Sequence, residues 1–362
     1  MNRLASFWHD LTEGHSLGDL WLDFRRGAVS SFESSVTELS PGARERRGWR
    51  RVWEFVRAMF FRLTPARRVV LLLALLLLVS SHTSFGDPAN NDPSGRLFLA
   101  AVCLLALLAL EVADRVALKR DLEVAREIQN WLVPHRPPQL PGLDIAFATR
   151  PANTVAGDYY DVLSMPAAGT GPAVLLVVAD VAGKGIPAGL IMACFRSCLH
   201  TLADTTRELP DLIARLHSFC CTDNCSGHRF TTAFLAQYDA ATGSILYVNA
   251  GHNPPLLRRA SGPIVQLEAG GVPFGVLADA AYEIGQLSVC PGDLLLIYTD
   301  GVVEAVNETD EEYGLDRLRT FVRDTVSSSA GFQQQLFASI DAFTGKASQQ
   351  DDITCLIVQF TG

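Results

Sequence analysis

Residues 173–185 read AVLLVVADVAGKG, and the fold is decided by how this stretch is read. The segment 173–180 is a continuous apolar run rich in Val and Leu, too short to cross a membrane, and predicts a buried strand. It stops on Asp180, followed by Val181, Ala182, Gly183, Lys184 and Gly185. A carboxylate at the end of a hydrophobic strand is costly unless water, a cation or a partner meets it. The two glycines let the chain turn sharply and leave room for a group close to the backbone.

Three other acids are placed in the same way. Asp158 sits in GDYYD (157–161), Asp300 ends the run 294–297 in YTDG, and Asp351-Asp352 opens the run 353–360. Acids far apart in sequence that gather at strand ends, with few bases among them, form an all-oxygen donor set suited to hard divalent cations. Taken singly, each has a plainer reading: Asp158 as a turn cap, Asp300 as the turn of an Asp-Gly hairpin, Asp352 as an ordinary strand-opening acid.

Outward from these acids, the segments AREIQNWLVP, RPANTVAGDYYD, VVADVAGKGIPAGLIMA, FTTAFLAQYD, YVNAGHNPPLL, IYTDGVVEA and DDITCLIV succeed one another along the chain. In that order they resemble the PP2C superfamily, specifically the SpoIIE/RsbU-like bacterial serine phosphatases, over about residues 121–360. The resemblance implies an α+β fold, an α-β-β-α four-layer sandwich of two stacked, mainly antiparallel sheets flanked by helices. It also implies two Mn²⁺ or Mg²⁺ ions held by Asp158, Asp180, Asp300, Asp352 and the Val181 carbonyl, with Asp180 linking the ions and Asp180 and Asp300 central to catalysis. The nucleophile is then a metal-activated water, with no phosphoenzyme. Asp161 and Asp351 are read as neighbours that tune the site or face solvent. Eukaryotic relatives carry a His where this chain has Ala182, which leaves the proton donor open.

Other residues near the motifs carry two readings each. Arg150 either forks onto a substrate phosphate or is a surface arginine. Lys184 either approaches the same phosphate or solvates its turn. Asn249 and His252, in NAGHNPP, are read as a structural turn with a satisfied histidine rather than a general acid. A P-loop is excluded: G-x-x-x-x-G-K-[ST] fails, because Gly185 follows Lys184 and no glycine stands six residues before that Lys.

Composition bounds the remainder. The chain has 362 residues and a formal charge of −9, with its arginines crowded toward the N-terminal third. The acidic remainder argues against nucleic acid as a partner. The eight cysteines sit in no small secreted framework and read as reduced core thiols. Cys220, Cys221, Cys225 and His228 lack the spacing of paired C-x-x-C knuckles, so a structural zinc site is the weaker reading.

Two Leu-rich runs, 69–85 and 97–113, stand at the lower edge of membrane-spanning length. Their link, GDPANNDPSGR, is polar, and arginines and lysines flank the outer ends of both, which places those ends in the cytoplasm. A buried helical hairpin in a soluble domain is the rival. In 111–133, Leu118, Leu122, Ala125, Ile128 and Leu132 form one apolar stripe, a linker helix that packs on its own domain, dimerises, or both.

The expected organisation is a basic cytoplasmic segment (1–66), a transmembrane hairpin (67–114), a linker helix (115–139) and the phosphatase domain (140–362), anchored in the bacterial cytoplasmic membrane. The expected function is metal-dependent hydrolysis of phosphoserine or phosphothreonine on a regulatory protein, with an anti-sigma-factor antagonist implied by the resemblance. A catalytically silent scaffold and a small-molecule phosphatase are the alternatives.

Overall fold

The computed structural model describes residues 63–82, 93–166, 173–224, 229–268 and 270–361, with single positions between 53 and 61. Most of the basic N-terminal segment expected at 1–66 and the loop joining the two Leu-rich runs lie outside the described residues. The chain forms two compact units, Met1–Ala117 and Leu118–Gly362.

In the first unit, helix α1 (Pro65–His82) covers most of the first Leu-rich run. Helix α2 (Pro93–Leu132) carries the second run and the linker stripe without a break. Arg67 at the start of α1 pairs with Asp114 at 2.7 Å, and Arg96 donates to the Ser80 carbonyl at 2.9 Å, so the two helices run antiparallel. Ala74 and Ala100 are buried, whereas Leu72, Leu76, Val79, Phe98, Leu105 and Leu108 are exposed.

The second unit holds two five-stranded antiparallel sheets. One has the order β1 (Leu143–Arg150), β10 (Ile353–Phe360), β9 (Leu294–Tyr298), β6 (Leu256–Arg258) and β7 (Ile264–Gln266). The other has the order β2 (Tyr159–Met165), β3 (Ala173–Val181), β4 (Thr231–Asp239), β5 (Ser244–Ala250) and β8 (Gly285–Ser288). The apolar runs 173–180, 294–297 and 353–360 form β3, β9 and β10, within a residue at each end. Asp300 opens a single helical turn, α5 (Asp300–Val303), in place of an Asp-Gly hairpin turn.

The layers are set by strand β3, whose residues are buried on both faces. Val174, Leu176 and Val178 point into the space between the sheets, where they meet Phe234, Leu295, Ile297, Leu356 and Val358. Leu175, Val177 and Ala179 face the opposite way, onto α3 (Ile186–Thr205) and α4 (Leu209–Asn224) through Met192, Phe195, Leu199, Leu212 and Leu216. The outer face of the first sheet is covered by α6 (Gly314–Asp324) and α7 (Ser329–Thr344) through Leu318, Val322, Phe332, Leu336 and Ile340. The result is the expected α-β-β-α sandwich. It also explains why β3 reads as an unbroken apolar run, since a strand covered on both faces has no solvent side to alternate toward.

Leu176 has no exposed surface and sits at the centre of the layer between the sheets. Leu176→Ala is expected to lower the unfolding free energy by about 2–5 kcal/mol, the range for deleting a buried leucine side chain. Guanidinium unfolding of the solubilised chain measures it.

Candidate metal centre

Antiparallel registry brings the acids to one end of the sandwich. In the second sheet Tyr159 pairs with Ala179, so Asp158, just before β2, lies beside Asp180, near the end of β3. In the first sheet Cys355 pairs with Tyr298, so Asp300, just after β9, lies near Asp351 and Asp352, just before β10. Each sheet therefore contributes its acids from the same end. Thr299 ties the two groups together: its hydroxyl donates to Asp158 Oδ2 at 2.8 Å, and its N–H donates to the Thr354 carbonyl.

Two glycines permit this approach. A Cβ on Gly157 would stand 3.0 Å from the Val181 carbonyl oxygen and 3.6 Å from Asp180 Oδ1. A Cβ on Gly301 would stand 2.1 Å from the Asp352 carbonyl oxygen, which only glycine avoids.

The electrostatics report the crowding. Burial pushes the Asp158 carboxyl well above its ordinary range, and the charges of Asp180 and Asp352 add to the effect. Asp180 is pushed up to about 7, by burial first and then by Asp300, Asp351 and Asp352. Asp300 is raised by burial and by Asp351. Asp352 is also raised by burial, against the pull of the backbone N–H groups it accepts from. Carboxylates that disfavour one another's ionisation in this way create a demand for cations.

The acids differ in how free they are. Asp352 accepts from the Ala152 N–H at 2.7 Å through Oδ1 and from the Gly157 N–H at 2.8 Å through Oδ2. Asp351 is partly exposed, and its Oδ2 meets Lys184 Nζ at 2.8 Å. Lys184 also donates to the Gln350 carbonyl at 2.7 Å. Asp161 lies away from this end: buried, it accepts from the Tyr159 hydroxyl at 2.6 Å and meets His200 Nε2 at 2.8 Å.

Among the described residues, no three His, Cys, Asp or Glu side chains stand close enough to grip one ion as placed. The donor set fits hard cations nevertheless. It is all oxygen, and Mg²⁺ in particular binds through one or two carboxylates while keeping several waters.

Beside the acids opens a cavity of about 380 Å³ whose lining includes Arg150, Lys184, Gly301, Asp341, Gln349 and Asp351. The Arg150 guanidinium meets Asp341 Oδ1 at 2.6 Å and lies over the Phe337 ring, 5.2 Å from its centroid. His252 is buried deeper. Its Nδ1 pairs with the Thr232 hydroxyl at 3.0 Å, its N–H donates to Asn249 Oδ1 at 2.7 Å, and burial lowers its pKa to about 4. Thr232 is the strand neighbour of Asp180, so the His252 turn braces the strand that carries that acid. In the cysteine group, Cys221 Sγ lies 3.6 Å from His217 Nε2 and Cys220 is buried, while Cys225 and His228 lie outside the described residues.

Two features are not foreshadowed by the sequence: the Thr299 bridge and a contact from Gln129 on α2 to the backbone of Ala156. Asp351, read from the sequence as a neighbour of the site, stands close enough to raise Asp180 and Asp300. Thr299 sits inside TDG as the immediate neighbour of Asp300, and that adjacency is the signal that could have found it.

The family described as Stage II sporulation protein E (SpoIIE) matches residues 170–361. Protein IcfG of Synechocystis sp. is 28% identical over 282 residues, 70% of this chain and 43% of IcfG. Phosphoserine phosphatase RsbU of Bacillus subtilis is 29% identical over 192 residues, 53% of this chain and 56% of RsbU. The chain thus spans about half the length of these curated relatives. Among solved structures, the SiaA-PP2C domain of Pseudomonas aeruginosa superposes with a TM-score of 0.61 at 20% identity, over 68% of this chain and 99% of that domain.

The Asp180 shift sets a sign for stability. Its pKa in the fold, about 7, lies above its ordinary value of 3.8, so folding favours the protonated form. That contribution is complete below about 3.8 and is lost as pH rises through about 7. In EDTA the wild-type chain is therefore expected to lose thermal stability between about pH 4 and pH 8 more steeply than Asp180→Asn. At about pH 8 the variant should melt higher, and differential scanning calorimetry across that range reads both.

Proposed function

The chain belongs to the SpoIIE family of PP2C-type phosphatases, and from that premise we propose that it hydrolyses phosphoserine or phosphothreonine on a regulatory protein. One observation carries the reading: mutually destabilised carboxylates from both sheets gather beside a cavity whose lining includes an arginine and a lysine. RsbU, matched over about half its length, is named a phosphoserine phosphatase, which supports that substrate class. A phosphorylated anti-sigma-factor antagonist is the specific substrate we propose.

In this proposal Asp158, Asp180, Asp300, Asp352 and the Val181 carbonyl hold two Mn²⁺ or Mg²⁺ ions, and Asp351 joins them. When bound, such an ion pair supplies a water of lowered pKa aligned with the phosphoryl group. The chain's own residues do the rest. Gly157 keeps the Val181 carbonyl uncovered, and Thr299 holds Asp158 in place. Each Asp352 oxygen accepts one backbone N–H of the 152–157 loop, which makes Asp352 its latch, whereas Asp351 is held by the adjacent Asp352 N–H and by Lys184 and is more exposed. Lys184 neutralises Asp351 until an ion competes for it. Arg150 and Lys184 on the cavity wall are suited to grip phosphate oxygens, Arg150 by exchanging Asp341 for the substrate.

Release of phosphate from a phosphoserine protein by the full chain is expected to require Mn²⁺ or Mg²⁺. Asp180→Asn and Asp300→Asn should abolish it. Asp351→Asn should raise the Mn²⁺ concentration needed for half-activity with little change in melting temperature, whereas Asp352→Asn should lower that temperature as well. A folded, Mn²⁺-binding wild-type chain that releases nothing would favour the scaffold reading.

We further propose that α1 and α2 anchor the chain in the bacterial cytoplasmic membrane, with the second unit in the cytoplasm. Ser94–Leu132 is long and apolar enough to span, and Phe98, Leu99, Leu105, Leu108 and Leu110 are exposed on it. Val124, Ile128 and Trp131 form an exposed seam on the last turns of α2, which suits a second copy of the chain. The full chain is expected in the carbonate-washed membrane fraction. Deleting residues 65–117 should move it to the supernatant, a shift that quantitative immunoblotting of the two fractions reads.

A further inference from the structure

The last turns of α2 reach the acid cluster through one side chain. Gln129 is buried, and its amide faces the backbone of Ala156 squarely. Gln129 Nε2 donates to the Ala156 carbonyl at 2.6 Å, and the Ala156 N–H donates to Gln129 Oε1 at 2.9 Å. A primary amide is one of the few side chains that can answer both a backbone donor and a backbone acceptor at once. Ala156 is itself buried, so neither group has water as a substitute.

The residues immediately after Ala156 connect this clamp to the acids. The next N–H, of Gly157, donates to Asp352 Oδ2 at 2.8 Å, and a Cβ on Gly157 would meet the Val181 carbonyl and Asp180 Oδ1. The residue after that is Asp158, held across the sheets by Thr299. Helix α3 touches the same point: a Cβ on its Gly189 would stand 2.4 Å from Val155 Cγ1 and 3.7 Å from Gln129 Nε2. The end of α2, the loop bearing Asp158 and the first turns of α3 thus meet around one buried amide.

We propose that Gln129 is a positioning residue through which the end of α2 sets the geometry of the Ala156–Asp158 loop, and so the affinity of the acid cluster for its ions. The inference rests on the proposed metal centre but adds a route of control. A turn or slide of α2 pulls on Ala156 directly and need not first rearrange α3. Leu122, Ala125, Leu132 and Val133 keep the rest of the helix face apolar or half-buried, so hydrogen bonding to the loop is concentrated at Gln129.

The test compares the full chain with Gln129→Met, which keeps the length and removes both hydrogen bonds, and Gln129→Glu, which keeps the acceptor for the Ala156 N–H. Calorimetric Mn²⁺ affinity is expected to fall on the order of 10–100-fold in Gln129→Met, the cost typical of removing a group that orients metal ligands. Gln129→Glu should fall between that variant and the wild type. Hydrogen exchange should quicken at the Ala156 and Gly157 amides and not in the core strands, and KM for the phosphoprotein should hold while kcat at limiting Mn²⁺ falls. Either variant, folded but with wild-type Mn²⁺ affinity and wild-type exchange at Ala156 and Gly157, would overturn the proposal. So would a general loss of stability with unchanged Mn²⁺ affinity, which is what packing alone predicts. If the wild-type chain releases no phosphate, the phosphatase reading fails by itself. Mn²⁺ affinity and local exchange still decide the role of Gln129.

Discussion

Mutual repulsion among buried carboxylates is the constraint around which this domain is built. Asp158, Asp180, Asp300 and Asp352 are each pushed above the ordinary carboxylate range, and burial leads the causes in every case. A chain does not assemble such a group for stability, because each added charge raises the cost of the others. The surrounding structure opposes that cost locally. Backbone N–H groups of Ala152 and Gly157 hold Asp352, the Thr299 hydroxyl holds Asp158, and Lys184 sits on Asp351. These contacts fix positions without removing the excess negative charge, which leaves the group poised for cations.

The sandwich is what allows acids more than a hundred residues apart to share that task. Antiparallel pairing puts the start of β2 beside the end of β3, and the start of β10 beside the end of β9. Packing the two sheets face to face then brings both pairs to one end. The layer between the sheets is wholly apolar around Leu176, Val178, Ile297 and Leu356, so it resists relative sliding of the sheets. A site assembled from both sheets inherits that rigidity. The turn after β3 depends on Gly183 and Gly185, both at positive φ.

The sequence was most legible where one physical signal was strong. The run at 173–180 could only be a doubly covered strand, and its sharp end on Asp180 marked the site. Asp300 was marked in the same way by the apolar run before it. It was least legible where the deciding fact is a neighbour brought in by tertiary structure. Nothing in DDIT says which acid turns toward Asp180 and which is occupied by backbone N–H groups far earlier in the chain. The Asp-Gly pair after Thr299 reads equally as a hairpin turn or a helix start; it starts a helical turn, and the closeness of the Asp352 carbonyl explains its glycine. Gln129 is an ordinary polar position within an apolar stripe until Ala156 is known to lie opposite it.

The helices make the same point about composition. Both α2 and α3 are long and apolar enough to cross a bilayer. In α3, however, Ala188, Met192, Phe195, Leu199 and Ala203 turn one stripe onto the sheet, and Leu190 alone among its larger aliphatics is mostly exposed. In the first half of α2 only a narrow side is turned inward, Ala100 with the half-buried Cys103 and Leu107, while Phe98, Val102, Leu105, Leu108 and Val112 are exposed along the opposite face and Leu99 and Leu110 beside it. So broad an exposed apolar surface is what the proposed membrane anchor calls for. Past residue 117 the same helix changes character, with charged side chains outward and Leu122, Ala125 and Gln129 turned to the domain. The change within one unbroken helix divides the segment proposed for lipid from the segment that carries Gln129.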